Sequence, residues 1–174
     1  MKKTIALLLT LALLACAPLA LASTVHIAED ASTFDLTLSL PADAVVSENT
    51  HDNVPYTFIS FESTAKPRIY ISVAPNEIYD ADSVAALGKA DQDALVADVS
   101  AEMVSPTYSL HKTAAGYDYL LVEENADIDS AVMVLLKDGY LIQLSIWHED
   151  YATLTAEDNA LATGILDTLE IVKN

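Results

Sequence analysis

Residues 131–147 decide the fold, and they read AVMVLLK, then DG, then YLIQLSIW. Asp138 and Gly139 between two apolar runs predict a two-residue hairpin turn, in which both positions need a positive φ. The register that this turn imposes pairs Leu135 with Ile142, Met133 with Leu144 and Ala131 with Ile146. The other face is also apolar, through Val132, Val134, Leu136 and Leu141. We therefore expect the hairpin near the centre of a sheet, covered at least partly on both sides.

Further strands are predicted on the amino-terminal side of this hairpin. Residues 34–40 alternate apolar and polar side chains without a break and stop at Pro41, which cannot donate to a ladder. The polar residues 42–55 are interpreted as a loop. Other strands are expected at 56–61, 68–73 and 117–123, with a short edge strand at 24–28.

A middle helix is expected between Asp82 and Met103, where alternation disappears and alanine is frequent. Its apolar residues recur at helical spacing, and Asp82 or Ser83 is a plausible N-cap. Gly88 weakens the interior, so the segment is interpreted as one bent helix or as two pieces.

A final helix is expected from about Ala156. Thr155 is its predicted N-cap, and Asp158 at the third helical position resembles a capping box. The predicted inward stripe of this helix consists of Leu161, Ile165 and Leu169.

This order of elements predicts a single α+β domain over residues 23–174. We expect a mostly antiparallel sheet of about six strands, with the middle and C-terminal helices packed on it. The layout resembles the PsbP-like superfamily in its opening strand ending at Leu40-Pro41, its middle helix, its 131–147 hairpin and its closing helix. That group includes exported bacterial proteins and has no family-wide catalytic signature. The resemblance therefore implies a binding or accessory role.

Residues 1–22 predict an export signal, because the basic head Met1-Lys2-Lys3 precedes an apolar run over residues 4–14. Cleavage after Ala22 would make Ser23 the first residue of a secreted protein. Alternatively, residues 13–16 resemble a bacterial lipobox, in which case the signal is 1–15 and Cys16 is lipidated. A third interpretation is an uncleaved anchor, since residues 4–25 are uncharged and long enough to span. The first two place the protein outside the cytoplasm, secreted or in the cell envelope.

The charge balance of the chain bounds its partners. The formal net charge is −18, and without residues 1–22 six basic residues stand against 26 acidic ones, which gives −20. Nucleic acid and anionic lipid surfaces are disfavoured, because both need cationic partners. We therefore expect membrane contact only through the signal or a lipid anchor.

Cysteine chemistry is excluded from the mature domain. Cys16 is the only cysteine of the chain, and it is either removed with the signal or lipidated. Neither a disulfide nor a thiol nucleophile nor a cysteine metal site is then available, so stability must come from apolar packing.

The most chemically suggestive cluster is 147–150, which reads WHED. His148 could act as a base oriented by a carboxylate, or could join a carboxylate on a metal ion. Neighbouring residues on a strand point to opposite faces, which argues against convergence. We assign no catalytic and no metal-ligating residue.

Two acidic loops, 123–129 and 76–82, carry oxygen ligands that suit calcium. Both lack the glycine and the distal glutamate of the helix-loop-helix calcium pattern, and they are interpreted as solvated loops. The eight tyrosines could line a sugar or peptide groove. We interpret the strand residues Tyr70, Tyr117 and Tyr119 as packing.

We therefore expect an exported, non-enzymatic cell-envelope domain that binds a protein or a small ligand and needs no cofactor. One alternative is a calcium-binding accessory domain. The other is a hydrolase with a site near His148.

Overall fold

A computed structural model of the chain describes residues 21–27, 34–51, 54–124, 130–150 and 152–173. Within these ranges it forms ten strands, two α-helices and a short 3-10 helix. The strands are β1 (Leu21–Ile27), β2 (Phe34–Pro41), β3 (Ala44–His51), β4 (Val54–Phe61), β5 (Arg68–Pro75), β6 (Thr107–Lys112), β7 (Asp118–Glu123), β8 (Ser130–Lys137), β9 (Tyr140–Trp147) and β10 (Glu170–Lys173). The helices are the 3-10 helix Val84–Ala86, α1 (Lys89–Val99) and α2 (Ala156–Leu166).

The strands form two antiparallel sheets, and the α+β class predicted from the sequence is confirmed. The main sheet has seven strands in the order β3-β4-β5-β9-β8-β7-β6. A smaller sheet has three strands in the order β1-β2-β10. The predicted edge strand at 24–28 corresponds to β1, which lies at the edge of the smaller sheet.

The β8–β9 hairpin lies at the centre of the main sheet in the predicted register. Its turn residues Asp138 and Gly139 have φ values of 53° and 86°. Six consecutive residues of β8 are buried, so both of its faces are covered. In β9 buried and partly exposed side chains alternate from Ile142 onward, so only one face of this strand is fully buried.

The main sheet contributes to two apolar cores, one on each face. The larger core holds side chains from β2, β4, β5, β8, β9 and α2, with Leu40, Ile69, Met133, Leu144 and Ile165 almost fully buried. The smaller core lies on the opposite face and packs the 3-10 helix and α1 against β7 and β8. The predicted middle helix therefore covers only part of its side of the sheet.

Several boundaries differ from the sequence prediction. The prediction of a loop over residues 42–55 is wrong, because β3 occupies 44–51 and pairs with β4. Strands β6 and β10 were not predicted, and the expected count of about six strands was too low. The middle helix is two pieces separated by Gly88, which is the N-cap of α1, while Ser83 precedes the 3-10 helix without a side-chain cap hydrogen bond.

The prediction for the C-terminal helix is confirmed at its amino end. Helix α2 begins at Ala156 with Thr155 as N-cap, and the capping box with Asp158 is complete. Ile165 is buried and Leu161 is partly buried against the larger core. The prediction that Leu169 belongs to the helix is wrong, because α2 ends at Leu166; Leu169 follows it and is buried in the same core.

The predicted export signal lies, except for its last two residues, outside the described residues, and so does Cys16. None of the helices within the described ranges reaches the length and hydropathy that crossing a bilayer requires.

Candidate functional site

One face of strands β4, β5 and β9 is left without a covering helix among the described residues. Side chains alternate along these strands, and every second one enters the core shared with α2. The other set lies on the α1 side, but α1 and the 3-10 helix pack over β7 and β8. The open face consists of the half-exposed residues Tyr56, Phe58, Tyr70, Ser72, Gln143, Ser145 and Trp147.

Aromatic rings dominate the open face and pack in pairs. The ring centroids of Tyr56 and Tyr70 lie 4.7 Å apart at an interplanar angle of 30°. Those of Phe58 and Trp147 lie 6.0 Å apart at 43°. Because these separations are within the range of favourable aromatic contacts, each ring restrains its partner. Each contact therefore favours a defined orientation of the two rings on the open face.

A groove runs between the open face and the carboxyl end of α1. Its volume is about 1000 Å³. The sheet side is formed by β8 and β9, and the wall by the end of α1 and the loop that follows. The lining residues are Asp98, Val99, Ala101, Glu102, Met103, Glu124, Ser130, Ala131, Val132, Gln143, Ser145, Ile146 and Trp147.

Among the residues that the structure describes, every charged residue that lines the groove is acidic. These residues are Asp98, Glu102 and Glu124. Glu124 Oε1 accepts a hydrogen bond of 2.6 Å from the backbone N–H of Val104, which fixes it beside the loop after α1. The last turn of α1 contains no basic residue. The partial negative charge of the helix end therefore adds to that of the carboxylates.

At one end of the open face, Arg68 pairs with Trp147 in the strand register. Its guanidinium Nη2 donates to Glu149 Oε2, and Arg68 is the more buried partner. The Arg68 guanidinium is therefore paired with a carboxylate at this end of the open face.

The predicted cluster 147–150 does not converge. Trp147 lies on the open face, His148 is buried against the start of α2, and Glu149 pairs with Arg68. Asp150 Oδ1 accepts from the backbone N–H of Ala152 at 3.2 Å. The alternation of directions along a strand end explains this divergence.

His148 joins the capping box of α2. Its Nε2 lies 3.1 Å from Asp158 Oδ2. The same oxygen accepts from the Thr155 hydroxyl at 2.7 Å and from the Thr155 backbone N–H at 2.8 Å. Burial raises the pKa of Asp158, but the hydrogen bonds from Thr155 and His148 outweigh it, so the net pKa lies below its ordinary value. The geometry therefore anchors the end of β9 to α2.

Of the two acidic loops, residues 125–129 lie outside the described part of the chain. In the other loop, Asn76 Oδ1 accepts from the Tyr79 backbone N–H at 2.9 Å, and Asn76 Nδ2 donates to the Tyr79 carbonyl at 2.7 Å. The Asn76 side chain therefore closes a local turn. Among the residues that the structure describes, no group of three or more His, Cys, Asp or Glu side chains is placed to hold a metal ion.

The strand tyrosines predicted to pack all make packing contacts. Tyr119 is buried, and the Tyr117 hydroxyl donates to the Leu169 carbonyl at 3.2 Å. Tyr70 is partly buried, and its ring packs on that of Tyr56 on the open face.

The sequence did not predict that the residues of the open face form one surface. A signal for it was present in β9, where Gln143, Ser145 and Trp147 alternate with buried Ile142 and Leu144. Strand β8 beside them is apolar on both faces. Polar residues at these positions of β9 therefore indicate that no element covers this face of the sheet.

No protein-family model matches this chain, and comparison with curated proteins finds no match.

Proposed function

We propose that this protein is an exported, non-enzymatic domain of the cell envelope that binds a protein or a small ligand on its open face. The observation that carries this proposal is the row of restrained, half-exposed aromatic rings that continues into the groove. Aromatic rings that stay partly exposed on an uncovered sheet face favour an interaction surface, because each ring combines apolar area with polar neighbours.

The composition of the face supports binding rather than further packing. Tyr70 and Trp147 offer apolar ring surface, while the amide of Gln143 and the hydroxyls of Ser72 and Ser145 offer donors and acceptors between the rings. A mixture of aromatic rings with a few polar groups is typical of ligand sites. A core face would carry aliphatic residues, as the opposite side of β9 does.

The extracytoplasmic location is supported by the pattern of residues 1–22, with a basic head, an apolar run and small residues before Ser23. The ligand would accordingly be met outside the cytoplasm. The absence of cysteine after Cys16 suits a domain that relies on its apolar core for stability.

Site-specific photo-crosslinking in the native envelope tests this function. A benzophenone amino acid replaces Ser72, which lies at the centre of the open face between Tyr56 and Gln143 in the strand register. The matched control replaces Ala160, which is exposed on α2, the helix that packs on the opposite side of the sheet. We expect a defined adduct from position 72 and none from position 160. Equal labelling at the two positions, or no adduct at position 72, would contradict the proposal.

A further inference from the structure

We propose that the occupant of the groove is a basic segment of a partner protein, whose Arg or Lys side chains lie against Trp147 and the carboxylates of Asp98 and Glu102. This inference rests on the proposed function and specifies its ligand class. It follows from the apolar and aromatic floor of the groove together with the charge complementarity of its wall.

The wall of the groove selects for positive charge. Asp98, Glu102 and Glu124 are its charged lining residues, and all three are acidic. Asp98 lies in the last turn of α1, where a negative side chain is unfavourable because the helix end already carries partial negative charge. Helix stability would favour Lys or Arg at this place. A cation brought by a partner would supply the missing complement.

The floor of the groove suits the same side chains. Trp147 is the only tryptophan of the chain, and an indole face is the best aromatic surface for Arg and Lys. Val99 and Met103 in the adjoining wall, both partly buried against the smaller core, add apolar surface beside it. The methylene stems of Arg and Lys can cover this surface while their charged heads reach the carboxylates.

Other occupants fit these features less well. A second copy of the exported chain would bring six basic against 26 acidic residues, a net charge of −20, to an acidic wall, and such like charges repel. A neutral glycan would use the aromatic rings but would leave the carboxylates uncompensated. An extended basic peptide uses both the rings and the charges.

The fluorescence of Trp147 provides a test, because the indole lines the groove and Trp147 is the only tryptophan of the chain. The probe is an eight-residue peptide that alternates arginine and serine, titrated at about 0.15 M ionic strength so that long-range attraction is screened. The comparison ligands are the matched glutamate–serine peptide and a neutral oligosaccharide. We expect a saturable change with the basic peptide and none with the two comparison ligands.

Two charge-matched double variants separate the groove from the overall charge. Asp98→Asn with Glu102→Gln removes two carboxylates from the groove wall. Glu77→Gln with Asp80→Asn removes two from the exposed 76–82 loop. We expect the first pair to weaken binding about tenfold and the second pair to weaken it less than about twofold. Thermal melting of each variant confirms that it is folded.

Equal weakening in the two double variants would overturn the inference, since binding would then follow net charge alone. A response to the oligosaccharide or to the acidic peptide, without one to the basic peptide, would also overturn it. In that case an adduct at position 72 in the envelope would still support the proposed function. Failure of the adduct as well would remove both proposals.

Discussion

One carboxylate oxygen of Asp158 contacts both Thr155 and His148 and so links the start of α2 to the end of β9. Oδ2 accepts from the Thr155 hydroxyl and backbone N–H and lies 3.1 Å from His148 Nε2. The residue is buried, so its charge is poorly solvated and depends on these donors. Its pKa lies below the ordinary value because the donors outweigh burial, which alone would raise it.

We predict that Asp158→Asn destabilises the protein by about 1–3 kcal/mol at pH 7, because the carboxylate half of the capping box and the His148 contact are weakened. A carboxyl group whose pKa is lowered by folding stabilises the fold above its unfolded pKa of about 3.9. That stabilisation is lost as pH falls through the lower pKa of the folded state. The difference from the unaltered protein should therefore shrink below about pH 4, as measured by urea unfolding over pH 2–7.

Glu157→Gln is the matched control, because Glu157 lies in the same helical turn with an exposed side chain. We expect it to change the free energy of unfolding by less than about 0.5 kcal/mol. A loss in Asp158→Asn that stays constant from pH 7 to pH 2 would contradict the electrostatic explanation.

At the scale of elements, the β8–β9 hairpin depends on its turn. Gly139 has a φ of 86°, and a Cβ atom there would meet nothing within 4 Å. Substitution of Gly139 would therefore strain the backbone without causing a steric clash. Asp138 also has a positive φ, of 53°, which Asp and Asn tolerate.

We predict that Gly139→Ala lowers the free energy of unfolding by about 1 kcal/mol, because the Cβ atom of alanine makes a positive φ unfavourable. Asp138→Asn in the same turn should leave stability within about 0.5 kcal/mol, since Asn-Gly suits this turn equally well. Urea denaturation measures both variants. A neutral Gly139→Ala would show that the turn does not control this hairpin.

The sequence predicted the central hairpin and its register because both strands are constrained by burial. Met133 and Leu144 can pair only in the register that keeps the core face apolar. Strands β3 and β6 lie at the two edges of the main sheet. Five of the six residues of β6 are exposed. An exposed edge strand need not alternate apolar and polar residues, so its sequence pattern resembles that of a loop.

The candidate site was predictable only in part. Trp147 was recognised as chemically notable, but it was grouped with His148, which points into the α2 cap. The ring of Phe58 packs against that of Trp147, which is distant in the chain. Which half-buried rings stay uncovered depends on how far α1 extends over the sheet, and local spacing does not encode this.

At the scale of the whole molecule, the proposed export has a direct consequence for the mature chain. Intact-mass measurement of the protein from its native host should find residue one to be Ser23 or a lipid-modified Cys16. The first result gives a diffusing domain and the second an anchored one. Retention of Met1 would contradict both forms of cleavage.

Blocking the open face tests whether a ligand binds there. Ser145→Arg places a large cation among the half-exposed residues of the face, while Ala160→Arg makes the same change on α2. The measurement is the yield of the position-72 photo-adduct in the native envelope. We predict that Ser145→Arg abolishes the adduct and that Ala160→Arg leaves it unchanged. An adduct that survives Ser145→Arg at full yield would contradict binding on this face.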